Sequence, residues 1–202
     1  MQIIALASRK GGVGKSMAAR SLAVAALIDG RRAAIVDADP QGSIVAWSQR
    51  REEQAPSVIA GNTAKLAELE RAGADIVFID TPPSVHPVIG MAIEAADLTL
   101  ILTGPYPEDL AAIGSSVQMV RNIGIKSGIV LNRTPTRSAA LSLARSALTA
   151  FDLPICPTAI AQRVAHPYAS ASGQTAQEWE PDGAAAAEIQ AVWKWAKEIL
   201  NA

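Results

Sequence analysis

The segment Lys10-Gly11-Gly12-Val13-Gly14-Lys15-Ser16 restricts the fold of this chain more than any other part of it. An apolar run at residues 3–7 leads into it, and a stretch of helical spacing at 16–29 follows. Glycines at such a junction let consecutive backbone N–H groups curl around a phosphate, and the helix start adds the positive end of its dipole. Lys15 can then reach the outer phosphates, and the Ser16 hydroxyl can ligate Mg²⁺. The ordinary pattern for such a loop is G-x-x-x-x-G-K-[ST]. Here Arg9 stands where the first glycine belongs, and a second lysine, Lys10, follows it. The nucleotide-contacting run is read as Lys10 to Met17, with Gly11, Gly12, Val13 and Gly14 forming the cradle. A glycine turn that merely joins a strand to a helix is the bland alternative, and the motifs further along weigh against it.

Further apolar runs recur at 33–37, 76–80, 98–103 and 128–131. Each is continuous rather than alternating, as strands covered on both faces are. Between them, 63–72, 88–95, 109–122 and 138–150 have helical spacing, with Asp109 and Ser138 as candidate N-caps. Strand and helix in alternation predict right-handed crossovers and a doubly wound, mostly parallel α/β sheet with helices on both faces. At 202 residues, half of them hydrophobic, the chain has material for one sizeable core, so residues 1–202 are read as a single domain. The Ser-, Gly- and Gln-rich stretch 169–181 reads as a surface loop before a last helix.

Ligands of such sheets bind beyond the carboxyl ends of the strands, and two acidic motifs lie there. Asp37-Ala38-Asp39-Pro40 closes the second run, and strand alternation places Asp37 and Asp39 on one side. Two carboxylates there can hold Mg²⁺ through its waters and orient an attacking water. An acidic turn closed by proline is the other reading. Val77-Phe78-Ile79-Asp80 has the form of a Walker B strand, with Asp80 as the metal-side carboxylate. A single cysteine, Cys156, offers neither a disulfide framework nor a thiolate metal site, which fits a cytoplasmic protein. The first residues lack a signal-peptide pattern, and no apolar stretch reaches the ~20 residues needed to span a bilayer.

In order and spacing, KGGVGKS, DADPQGS and FIDTPP resemble the motifs of the deviant Walker ATPases of the ParA/MinD superfamily. Ala159-Ile160-Ala161-Gln162-Arg163 and Pro181-Asp182-Gly183-Ala184-Ala185 are similar to small partition ATPases of the ParF type. The resemblance implies a P-loop fold, ATP and ADP as ligands with Mg²⁺, and hydrolysis of ATP. It makes Lys10 the signature lysine that reaches the partner's phosphates in an ATP-bound homodimer, and Lys15 the P-loop lysine. Ser16 becomes the Mg²⁺ ligand, Asp39 the carboxylate tied to water activation, and Asp37 and Asp80 its metal-side neighbours. Asn132 takes the place where some relatives read adenine, with Pro157 and Thr158 flanking the base. A strand-end asparagine that satisfies loop backbone is an equal alternative.

The resemblance also implies an output surface. Residues 110–177 carry six Lys and Arg against Asp152 alone, a local +5 in a chain whose total is −1. Such a patch suits nonspecific DNA, with Arg133, Arg137, Arg145 and Arg163 as candidates; solvated helix-face arginines are the alternative. Segregation or positioning of a cargo then follows, with a small ParB-like or other cargo-adaptor protein stimulating hydrolysis and a nucleoid-associated ATP state. A MinD-like membrane alternative rests on the last helix, where Ile189, Val192, Trp193, Ala196, Ile199 and Leu200 share a face flanked by Lys194 and Lys197. Glu188 and Glu198 interrupt its basic side, so core packing outweighs it and no stable membrane association is expected.

Overall fold

The computed structural model describes residues 1–83, 87–136 and 139–202. Its strands are β1 (Gln2–Ala7), β2 (Ala33–Asp37), β3 (Ser57–Ala60), β4 (Ile76–Asp80), β5 (Leu98–Thr103) and β6 (Ser127–Leu131). The helices are α1 (Lys15–Ile28), α2 (Ser43–Ser48), α3 (Leu66–Arg71), α4 (Pro87–Glu94), α5 (Pro107–Ile123), α6 (Ala139–Leu148), α7 (Ala165–Ala171), α8 (Ala176–Trp179) and α9 (Ala184–Asn201).

All six strands pair in parallel, in the order β3-β2-β4-β1-β5-β6. Strand order reverses about β1, because the chain goes from β1 to β2 on one side while β4 connects across β1 to β5. The crevice of such a sheet opens at that reversal, beyond the carboxyl ends of the strands. Register brings the relevant ends level: Leu6 lies opposite Asp80, and Asp80 opposite Asp37.

Alternation along each strand feeds two cores, as a sheet covered on both faces requires. Ile4, Leu6, Phe78 and Leu100 face α1 and α9, where Trp193 meets Phe78 with ring centroids 6.0 Å apart. Ala7, Ile101, Ile129 and Leu131 face α4, α5 and α6, and Ala5, Val36 and Ile79 face α3 and α4. The apolar face of α9 (Ile189, Val192, Trp193, Ala196, Leu200) is buried against the sheet and α1, as the core-packing reading of the last helix has it. Among the described residues, no helix is long and apolar enough to cross a membrane.

Several local expectations change. Asp109 does not cap α5: Pro107 starts that helix one turn earlier, where its fixed φ suits a first turn, and Asp109 lies inside it. The stretch 169–181 is not a plain loop, because it holds the end of α7 and all of α8, the latter started by a Thr175–Glu178 capping box. The expected helix 63–72 is split into a 3₁₀ turn, Thr63–Lys65, and α3. Ser138, the other candidate cap, and Arg137 lie outside the described residues.

Candidate nucleotide-binding site

The glycine segment leaves β1 and enters α1 with Gly12 and Gly14 in the left-handed region, at φ 77° and 88°. Gly14 is the N-cap of α1, and among the described residues no side chain takes up the first N–H groups of that helix. The helix start therefore keeps its donors for a ligand. A Cβ at Gly14 would fall 2.4 Å from Asn132 Nδ2, so packing as well as φ excludes a larger residue there.

Lys15 is only 6% exposed, and its Nζ donates to the Ser8 carbonyl at 3.3 Å. Burial lowers its pKa, while the charges of Asp80 and Asp39 pull the other way. Asp80 is fully buried, and among the described residues no donor meets either carboxylate oxygen in good hydrogen-bond geometry, the Ser16 hydroxyl being the one that comes near. Burial pushes its pKa up to about 7; hydrogen bonding from the approaching Ser16 hydroxyl and the charge of Lys15 oppose the shift, and Asp37 and Asp39 add to it. A carboxylate orphaned in this way is costly unless a cation joins it.

Asp37 is engaged differently from the expectation of a metal-side group. Its Oδ2 accepts the N–H groups of Ile44 and Val45 at 2.9 and 3.0 Å, and its Oδ1 accepts that of Asp39 at 3.3 Å. The carboxylate thereby caps α2, whose N-cap residue, Gly42, has no side chain to do so. Asp39 is half-exposed and closes a tight turn by accepting the Gln41 N–H at 3.0 Å. Among the described residues, no group of three or more His, Cys, Asp or Glu could cage a metal. The arrangement suits Mg²⁺, which keeps most of its waters and takes few protein oxygens. Ser16 and the orphaned Asp80 are the residues that fit it.

Beside the loop is a cavity of about 460 Å³, lined by Gly14, Met17, Asn132, Arg133, Gln162 and His166 among others. Its size suits a nucleoside. Pro157 and Thr158, expected against the base, are not in its lining. The segment that contains them runs parallel to β6, bridging Ile129 to Ile155 and Thr134 to Ala161, so it reaches the carboxyl end of β6 at Ile160, whose N–H donates to the Leu131 carbonyl. Ala161, Gln162, Arg163, Val164, His166 and Pro167 line the cavity instead; in the sequence the first three belong to a family-like motif and Arg163 also to the basic stretch, but none of them is read there as a nucleotide contact. Asn132 is placed as the backbone-satisfying alternative has it, its Nδ2 donating to the Val13 carbonyl at 2.7 Å.

Lys10 is a partly exposed side chain at the rim, held by Asp109 at 2.5 Å. Of the arginines read as a DNA face, the three among the described residues, Arg133, Arg145 and Arg163, have internal partners. Arg145 donates to the carbonyls of Cys156 and Pro157 at 2.9 and 2.6 Å, and Arg163 grips Glu188 with two nitrogens. Arg133 bonds the Gly12 carbonyl.

Comparisons with known proteins agree with this fold. The chain is 33% identical over 206 residues to the maintenance of carboxysome distribution protein A of Gloeobacter kilaueensis, covering 99% of this chain and 94% of that one. It is 30% identical over 198 residues to the protein of the same name from Halothiobacillus neapolitanus, covering 92% and 91%. Among solved structures it is similar to the MinD cell division protein of Aquifex aeolicus, with a TM-score of 0.79, 14% identity and 98% of both chains covered. A family model described as the CobQ/CobB/MinD/ParA nucleotide binding domain matches residues 4–176, and the chain belongs to that family.

Proposed function

We propose that the protein is an ATP-driven switch that dimerises on ATP, hydrolyses it slowly, and positions a cargo until an adaptor protein stimulates turnover. The observation that carries this reading is the glycine cradle with Lys15 in place and, level with it at the end of β4, a buried Asp80 carboxylate to which, among the described residues, only the Ser16 hydroxyl comes near as a donor. Such a site is built for phosphate with an accompanying cation. When bound, Mg²⁺ would draw charge from the outer phosphates, held by Ser16 with Asp80 behind it. Asp39, half-exposed beside the loop, is the group suited to orient the attacking water. Lys10 is the residue given the contact with a second copy of the chain, a reading supported by its partly exposed ammonium, which Asp109 holds rather than the loop it belongs to.

Positioning of a cargo is supported by the two carboxysome-distribution relatives. Nonspecific DNA as the track is supported by the local +5 of residues 110–177, from which the Glu188 partner of Arg163 takes one charge. A MinD-like membrane reading finds less support, because the apolar face of α9 is already covered by the sheet and α1.

The test is nucleotide binding and turnover, with and without Mg²⁺, for the wild type, Lys15→Gln and Asp39→Ala. Lys15→Gln should lose nucleotide, and Asp39→Ala should bind ATP without hydrolysing it. Normal turnover by Asp39→Ala would remove the role given to that carboxylate. In parallel, binding to random duplex DNA and to anionic liposomes is measured across a salt series with ATP and with ADP. Liposome binding without DNA binding would transfer the working surface to α9.

A further inference from the structure

Two consecutive residues beyond β6 hold two consecutive carbonyls of the phosphate loop. Asn132 Nδ2 donates to the Val13 carbonyl at 2.7 Å, and Arg133 Nη1 donates to the Gly12 carbonyl. The pair is tied to itself, since Asn132 Oδ1 accepts the Arg133 N–H at 2.8 Å. Arg133 reaches this position with φ at 55°, in the left-handed region that a residue with a Cβ adopts only under compensation. Its guanidinium borders both the nucleoside-sized cavity and the adjoining cleft that contains Lys10 and Asp109.

The contacts have a geometric consequence. In a trans peptide unit the C=O and the following N–H point in opposite directions. Fixing the Gly12 carbonyl therefore sets the direction of the Val13 N–H, and fixing the Val13 carbonyl sets that of the Gly14 N–H. Glycine-flanked peptides turn over easily, and either unit flipped would aim a carbonyl oxygen at an incoming phosphate. The binding residues would then face an anion with the wrong end of their dipole.

We propose that Arg133 is a positioning residue for the nucleotide: with Asn132 it clamps the Gly12 and Val13 carbonyls outward, so that the loop presents its N–H groups before phosphate arrives. The assignment takes Arg133 away from the DNA face suggested by its place in the basic stretch. It rests on the reading that this loop binds nucleotide phosphates.

The experiment compares wild type, Arg133→Ala, Arg133→Lys and Arg133→Gly. Affinity for a fluorescent ATP analogue and for ADP is measured, then melting temperature without nucleotide, then DNA affinity at saturating ATP. Arg133→Ala and Arg133→Gly should each weaken nucleotide binding about tenfold, the worth of one lost charged hydrogen bond, and Arg133→Lys should recover part of it. Glycine relieves the left-handed backbone, so Arg133→Gly should melt above Arg133→Ala while still binding nucleotide poorly. Affinity and stability then separate, which a merely structural residue would not cause.

Nucleotide affinity within twofold of wild type in Arg133→Ala would overturn the clamp, and so would affinities that simply follow melting temperature across the series. A fall in DNA affinity at unchanged nucleotide affinity would overturn it too and return Arg133 to the DNA face. Wild-type protein that binds no nucleotide at all, like Lys15→Gln, would defeat the reading of the site itself and take the clamp with it.

Discussion

Replacing Asp37 by alanine separates two jobs that a carboxylate at the end of β2 can have. As a cap, its Oδ2 takes the N–H groups of Ile44 and Val45 at 2.9 and 3.0 Å, and Asp37 and Ile44 are both buried. Each buried donor left without a partner costs about 1–3 kcal/mol. Removing a buried charge that burial and Asp39 both disfavour returns part of that. The net loss should be about 2–3 kcal/mol, or about 4–12 °C in melting temperature for a chain of this size. Asp37→Asn keeps an acceptor and loses the charge, so it should fall by about 1 kcal/mol. The assay is a thermal melt in EDTA without nucleotide, where a metal role cannot contribute. If Asp37 served only a metal, its removal would relieve repulsion from Asp39 and Asp80, and the metal-free protein would melt higher. An Asp37→Ala protein that melts at or above the wild-type temperature in EDTA refutes the capping argument.

Asp80 predicts a pH dependence of the metal-free protein. Its folded pKa is raised to about 7, chiefly by burial, so the stability it contributes is present below the ordinary carboxylate range and is lost as pH rises through about 7. In EDTA the wild type should melt lower at about pH 8 than at about pH 6, and Asp80→Asn should flatten that step. A wild-type step that survives in Asp80→Asn would assign it to another group. Glu178 gives the opposite sign: burial works to raise its pKa but is outweighed, mainly by hydrogen bonding to Arg51, so its contribution is lost on acidification. Arg51 is almost fully buried and held at 2.6 Å, so Glu178→Ala should cost about 3 kcal/mol at neutral pH, with the gap to wild type closing as carboxylates protonate. Equal urea midpoints at pH 7 would mean that the carbonyls of Ala55 and Gly173 satisfy Arg51 alone.

What the sequence displayed was local. Five of the six strands are continuous apolar runs, and the phosphate loop declares itself because its glycines, lysine and serine are neighbours in the chain. β3 escaped because it is a four-residue edge strand, half exposed, whose apolar run is only Val58-Ile59-Ala60. The engagement of Asp37 was hidden for a different reason: its partners come seven and eight residues later, and strand alternation says nothing about a turn folding back. Lys10 and Asp109 are ninety-nine positions apart, and an acidic residue in a first helical turn reads equally well as a cap or a dipole partner. Charge counting grouped Arg133, Arg145 and Arg163 as one patch. Only the fold shows that each guanidinium already has an acceptor: the Gly12 carbonyl, the carbonyls of Cys156 and Pro157, and Glu188.

Those hidden contacts also explain how a site assembled from distant segments is kept in register. The acidic turn at Asp37–Asp39 is fixed to α2, and α2 buries Trp47, whose indole donates to the Gln174 carbonyl at 3.1 Å. Arg51 stacks over the same indole and pairs with Glu178, which caps α8. Gly173 must be glycine here, because a Cβ would fall 2.4 Å from the backbone of Arg50. From the other side, Arg20 on α1 bonds Ser170 at 2.8 Å on α7, the helix that carries His166 into the cavity wall. The carboxylate side and the cavity side of the site thus share one packed support, with α1 and its phosphate loop between them. Loss of Trp47 or of the Arg51–Glu178 pair would therefore loosen both sides together, whereas loss of Asn132 or Arg133 would disturb the loop alone.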